Sequence, residues 1–166
     1  MSSPYILNEN MKLDEFDKGI LRTLHSDSKI TNSILAKRIR LSPPATLERV
    51  KKLRKNGIIL GQKAILDKKK LGRGLTCWLS LQIKHLHEKH EYHLIEQHLE
   101  KLEEIEEIYF LTGKIDYLIK VNVRDIDEFR EFFTSRLSKV KSIERAETFV
   151  VVSSTVNPNY DPINIP

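Results

Sequence analysis

Apolar residues recur along this chain in two rhythms, and the change from one to the other divides it. From Leu13 to Leu24 the positions Phe16, Ile20, Leu21 and Leu24 fall three or four apart, the stripe of an amphipathic helix. Asp27, Ser28 and Lys29 break it. Thr31 is placed to cap a short second helix over 33–39, with Ile34, Leu35 and Ile39 turned inward. After the tight Arg40-Leu41 connection, Ser42-Pro43-Pro44 opens a third helix. Serine accepts from free N–H groups there, and proline is tolerated in a first turn that needs no donor. That helix runs to Lys55, where Asn56-Gly57 supplies a stop. Within it Leu47, Val50 and Leu53 predict a buried stripe, with Ala45, Glu48, Arg49, Lys52 and Lys55 opposite. Ile58 to Leu66 reads as an extended segment, a strand returning along the head.

Residues 67–74 are basic, contain glycine and lack apolar periodicity, which predicts a hinge. Beyond them the rhythm becomes two. Leu75, Cys77, Leu79, Leu81 and Ile83 alternate with Thr76, Trp78, Ser80 and Gln82, a strand with one buried face. The span 92–102 predicts an amphipathic helix, 105–111 a strand, 112–116 a turn and 117–123 another strand. Asp125 caps a helix through Leu137 with Ile126, Phe129, Phe133 and Leu137 on one face, and 143–152 is the last strand. The order β-α-β-β-α-β is the ferredoxin-like arrangement, with helices on one sheet face. The fold class is therefore α+β. It comprises a disordered extension over 1–12, a helix-turn-helix head over 13–66, a hinge over 67–74, a sheet domain over 75–152 and a tail over 153–166.

Charge sharpens this division. The chain's net charge is +5, but residues 1–66 hold 13 Lys/Arg against 6 Asp/Glu, and residues 67–166 hold 15 against 17. Such asymmetry points the first half toward a polyanion. From Lys37 to Lys55 there are eight basic residues and one acid, Glu48. Three short helices with a tight turn before the third match the plan in which the third helix enters the major groove of double-stranded DNA. The candidate DNA-facing residues are Thr31, Ser42, Pro44, Ala45, Arg49 and Lys52. Small residues at the helix start permit close approach, and Arg49 is placed to read a guanine or clamp a phosphate. No stretch approaches the ~20 apolar residues of a membrane span. Cys77 is the lone cysteine, which fits a reducing cytoplasm.

The order and spacing of several segments resemble the Lrp/AsnC family, the leucine- and asparagine-responsive transcription regulators. These segments run Leu13 to Leu21, Leu35 to Arg38, Leu41 to Leu53, Gly57 to Ile59, Ile105 to Ile108, Thr112 to Leu118 and Thr148 to Val151. The resemblance spans nearly the whole chain. It implies a winged helix-turn-helix head, a hinge strand, and a ligand-sensing βαββαβ domain that builds homodimers and often octamers. It also places Thr112, Gly113, Asp116 and Tyr117 in the family's Gly-x-x-Asp effector loop. There the Gly113 N–H would meet the carboxylate of an amino acid held between dimers, and Asp116 its ammonium. Taken alone, these are ordinary turn residues. The stretch Lys139-Val140-Lys141-Ser142 departs from the Pro-Gly usual in the family. The same architecture serves tetrapyrrole (sirohaem) decarboxylases, the alternative reading, and an effector-independent DNA-organising protein is a third.

Other residues suggest little chemistry. His85, His87, His90, His93 and His98 lack the carboxylate or cysteine spacing of a metal site and read as solvent-facing. No phosphate loop or catalytic triad order occurs, so neither a cofactor nor an enzymatic activity is expected. Cys77 reads as a small buried hydrophobe.

Overall fold

The computed structural model describes residues 12–84, 89–155, 157 and 160–163. The N-terminal extension lies outside them except for Lys12, as do the side chains of His85, His87 and His90. The chain forms two compact units. One is the chain up to Ala64 together with the segment from Asn157 onward, and the other is Ile65–Val156.

In the head, α1 (Glu15–Ser26), α2 (Asn32–Ile39) and α3 (Pro43–Lys55) close around Ile20, Leu35, Val50 and Leu53. A reciprocal capping box starts α1: Asp14 accepts from the Asp17 N–H at 2.8 Å, and the Asp17 carboxylate accepts from the Asp14 N–H at 3.4 Å. Arg40 ends α2 in the left-handed region, φ 58°, and so lets Leu41 N–H reach back to the Ala36 carbonyl at 3.0 Å. Gly57, φ 72°, takes the same role after α3.

The inward stripe of α3 differs from the expected one. Thr46, Val50 and Leu53 are buried, whereas Leu47 is 43 % exposed. The spacing i, i+4, i+7 still fits one face. Thr46 enters the core because its hydroxyl donates to the Ser42 carbonyl at 3.0 Å, which satisfies its polar atom. The strand expected over 58–66 is also absent: Ile58 and Ile59 form a bend and the residues after them belong to no sheet, with Leu60 93 % exposed. A strand needs a neighbour to complete its ladder, and this chain supplies none there.

The second unit is a four-stranded antiparallel sheet in the order β2-β3-β1-β4, built from β1 (Leu75–Ile83), β2 (Ile105–Phe110), β3 (Tyr117–Val123) and β4 (Ile143–Val150). Cys77, Leu79 and Leu81 of β1 and Ile119, Val121 and Val123 of β3 form one core with Ile95 and Leu99 of α4 (Lys89–Leu99). The other sheet face carries the polar parity of β1 and β3. The expected hinge is instead a set of turns fastened to this unit. Lys68 pairs with Glu106, and Arg73 donates to the Asn122 carbonyl at 3.2 Å.

The last helix has a local cause for its shape. α5 (Ile126–Glu131) passes into a π turn over Phe132–Arg136 and a 3₁₀ turn over Leu137–Lys139. Phe132 and Leu137, five residues apart, are both buried, and only the wider turn brings that spacing onto one face. Ile126, expected on the core face, is exposed. Val140, in the stretch that departs from the family's Pro-Gly, is itself a core residue.

Candidate functional site

Two side-chain caps and one amide fix the starts of α2 and α3. Ser42 Oγ accepts from Ala45 N–H at 3.4 Å, and Thr31 Oγ1 accepts from Ile34 N–H at 3.4 Å. Asn32 Nδ2 donates to the Pro43 carbonyl at 2.8 Å, tying the first turn of α2 to that of α3. Sequence reading missed Asn32, because a side-chain bond across 11 residues leaves no periodic trace. Thr31, Ser42, Pro44, Ala45 and Lys52 are all exposed. Lys37, Arg38, Arg40, Lys52, Arg54 and Lys55 are exposed and make no ion pair among the described residues. The head therefore presents uncompensated positive charge around α3.

Arg49 stands apart from that set. Its Nη1 donates to Asp14 Oδ2 and to Asp17 Oδ1, both at 2.8 Å, and its guanidinium lies 5.4 Å from the centroid of the Phe16 ring. The Asp17 N–H holds the Asp14 carboxyl below its ordinary range, and Arg49 adds to that shift; the two carboxylates in turn raise Arg49. Two carboxylates thus neutralise the side chain in place and bolt α3 to the cap of α1. Both contacts run through Nη1, on a side chain that is 32 % exposed.

In the second unit the turn after β2 is held from within. Asp116 Oδ2 accepts from the Ile83 N–H at 2.8 Å, and Asp116 N–H donates to the Leu81 carbonyl at 2.9 Å. Gly113 has φ 123°, which side chains rarely adopt, and with Thr112 it is exposed. Tyr117 departs from the expected arrangement. It is fully buried, its hydroxyl donates to the Tyr92 carbonyl at 3.4 Å, and burial pushes its phenol far above the usual range. Its parity in β3 sends it into the core beneath the turn.

Beside this turn is a pocket of about 210 Å³ lined by Ser80, Gln82, Lys114, Ile115, Arg145 and Glu147. Gln82 Nε2 donates to the Lys114 carbonyl at 2.5 Å, and Arg145 Nη2 meets Glu147 Oε1 at 2.6 Å. The register explains the grouping, since Ser80 pairs with Glu147 and Gln82 with Arg145. A cation, an anion, an amide and a hydroxyl in so small a volume suit a small zwitterion. Sequence reading missed Arg145 and Glu147. Their alternation in β4 was visible, but not the register that sets them beside Ser80 and Gln82. A larger hollow of about 470 Å³ along α5 is lined by charges that pair with one another, as Arg145 and Glu147 also do: Arg124 with Glu128 at 3.2 Å and Arg130 with Asp127 at 3.1 Å. Among the described residues no group of three His, Cys, Asp or Glu is placed to hold a metal. Burial raises the Cys77 thiol, as befits a core residue.

A capped basic third helix followed by a sheet domain with a small polar pocket defines a DNA-binding regulator with a ligand-binding module. Residues 13–59 match the family model for winged helix-turn-helix DNA-binding, and residues 80–160 match that for the Lrp/AsnC ligand binding domain. The chain belongs to the Lrp/AsnC family of transcriptional regulators. It is 37 % identical over 142 residues to the transcriptional regulator AzlB of Bacillus subtilis (strain 168), covering 86 % of this chain and 90 % of that protein. It is 33 % identical over 152 residues to the leucine-responsive regulatory protein of Haemophilus influenzae, covering 91 % and 90 %. The crystal structure of a Neisseria meningitidis transcriptional regulator in complex with L-methionine superposes with a TM-score of 0.84 at 27 % identity, over 92 % of this chain and 98 % of that one.

Proposed function

We propose that this regulator binds double-stranded DNA through α3 and the exposed basic residues around it, and that a free amino acid in the pocket beside the 112–116 turn modulates that binding. The observation that carries the DNA reading is the unpaired, exposed charge of Lys52, Lys55 and Arg54 on a helix whose N-terminus is held open by Ser42 and Asn32. Pro44 and Ala45 lie at the tip that meets the bases. Thr31 and Ser42 act by capping, and Arg49 acts by positioning α3. For the effector, Arg145 and Lys114 offer partners to a carboxylate and Glu147 to an ammonium. Gly113 keeps the rim open, and Asp116 holds the turn. The L-methionine bound to the Neisseria regulator supports this ligand class, and the named relatives support a regulator over a tetrapyrrole decarboxylase.

The active species is a homo-oligomer. Tyr109 and Phe149 on the sheet, and Ile65 and Leu66 on the segment that leads to it, are exposed apolar residues that a second copy would cover. Its place is the cytoplasm, with the DNA; no helix among the described residues is long and apolar enough to cross a membrane.

The test has two parts. Selection from fragmented genomic DNA, followed by anisotropy titration, should yield a preferred site whose binding Lys52→Ala weakens. A thermal-shift screen of the proteinogenic amino acids, L-methionine included, should find a stabilising ligand, because binding to the folded state alone raises stability by RT ln(1 + [L]/Kd). Arg145→Ala should abolish that shift. Enrichment of no sequence would sink the DNA reading, and a shift indifferent to Arg145 would sink the pocket.

A further inference from the structure

Among the described residues φ is positive at four positions, and three of them, Gly57, Gly72 and Gly113, are glycine. The fourth is Arg40, φ 58° and ψ 43°, the residue that ends α2. The turn needs this conformation. Arg40 N–H donates to the Lys37 carbonyl at 3.3 Å, and the reversal carries Leu41 N–H back to Ala36 just before the Ser42 cap of α3. Glycine adopts such a backbone without penalty, as Gly57 does after α3, whereas a Cβ crowds the carbonyl that follows it. The arginine side chain does not compensate from within the head. It is exposed and makes no hydrogen bond, ion pair or ring contact among the described residues. No acid occurs between Asp27 and Glu48, and Glu48 is already held by Lys51 at 2.8 Å. A residue strained in its backbone, with a charge that nothing around it uses, points to a contact made outside the chain.

We propose that the Arg40 guanidinium grips a phosphate of double-stranded DNA at the border of the groove that α3 enters, and so sets the register of the head without reading sequence. The proposal rests on the DNA reading above and adds to it a residue with a stated partner. Its place follows from α2. The Asn32 amide bonds the Pro43 carbonyl at 2.8 Å, so the start of α2 lies beside the tip of α3. Arg40 stands at the other end of α2, a helix of eight residues and so about 12 Å long. A major groove is about 12 Å wide. With the α3 tip at the base edges, Arg40 therefore falls at the phosphates that border them. The side chain suits that partner, because a planar guanidinium donates two parallel N–H bonds to one phosphate, which a lysine cannot do. Phosphate contacts position a protein on the duplex and carry no sequence information of their own.

The test uses the full chain and the DNA site selected from genomic fragments. Arg40→Gly and Arg40→Asn both remove the charge, and both residues tolerate a left-handed backbone, so both variants should fold. Arg40→Gly should melt at or above the wild-type temperature. A clearly lower melting temperature would mean that the arginine serves the turn, and would overturn the proposal. Each variant should bind more weakly to the selected site and to unrelated duplex alike, and the slope of log affinity against log salt should fall by about one. Replacing the phosphates of the site one at a time by uncharged methylphosphonates should find at least one whose loss weakens the wild type but neither variant. Unchanged affinity and slope in both variants, or no phosphate at which they differ from the wild type, would sink the assignment and leave the DNA reading standing. A wild type that binds no duplex would remove both.

Discussion

At the scale of single residues, partners separate two side chains that charge alone does not. Arg49 and Lys52 are equally basic in sequence, yet one is held by Asp14 and Asp17 and the other is exposed without an ion pair. Arg49→Ala should therefore cost the head about 1 kcal/mol, seen as a fall of about 4–8 °C in its melting temperature. Lys52→Ala should leave the melting temperature unchanged and lower the slope of log affinity against log salt by about one. Opposite outcomes would return Arg49 to the DNA surface. Glu106 gives a pH prediction of definite sign. Burial raises its carboxyl, but hydrogen bonds from Lys68, Asn122 and Lys120 outweigh burial and hold it at about 2, down from 4.5. Its folded value lies below its unfolded one, so its contribution is complete above about pH 4.5 and drains away as pH falls toward 2. Acid titration of sheet-domain stability should show this loss, and Glu106→Gln should flatten it. Neither the Arg49 fork nor the Glu106 cluster was legible in sequence, because both join residues more than a dozen positions apart.

At the scale of elements, period and caps carried most of the reading. Thr31, Ser42 and Asp125 cap the helices they were expected to cap, and the four strands of the sheet unit fall within two residues of their expected bounds. The failures came where an element depends on something nonlocal. Ile58 to Leu66 has strand composition but no partner strand, and Leu47 lost its place to Thr46 because a back-bonded hydroxyl can be buried. The π turn is the third case, since a stripe of Phe129, Phe133 and Leu137 does not announce an extra residue. A π turn is one residue more than an α-helix needs, so deleting the exposed Ser135 should convert it to a regular helix with Phe132 and Leu137 four apart on one face. The deletion should shift the melting temperature little, whereas Leu137→Ala should cost about 2–5 kcal/mol. A deletion as damaging as the Leu137 change would mean that the wide turn is itself required.

At the scale of the molecule, the two halves differ in charge and in spare apolar surface, and the fragments should behave accordingly. Sedimentation of 65–156 should find an oligomer, and of 12–64 a monomer, because Tyr109, Phe149 and Val150 belong to the first. A dimeric head beside a monomeric sheet unit would overturn that division. The strand order has a further consequence, in the time it takes to make the chain. β1 is the first strand made, yet it sits between β3 and β4 and pairs with both. Residues 84–150 must be synthesised before its second edge is covered, which takes several seconds at about 5–20 residues per second. For that interval the alternating apolar run of β1 is a sticky edge on a growing chain. A message that stops before Ile143 would release it uncovered, so nascent chains cut there should be the ones that demand chaperones or aggregate.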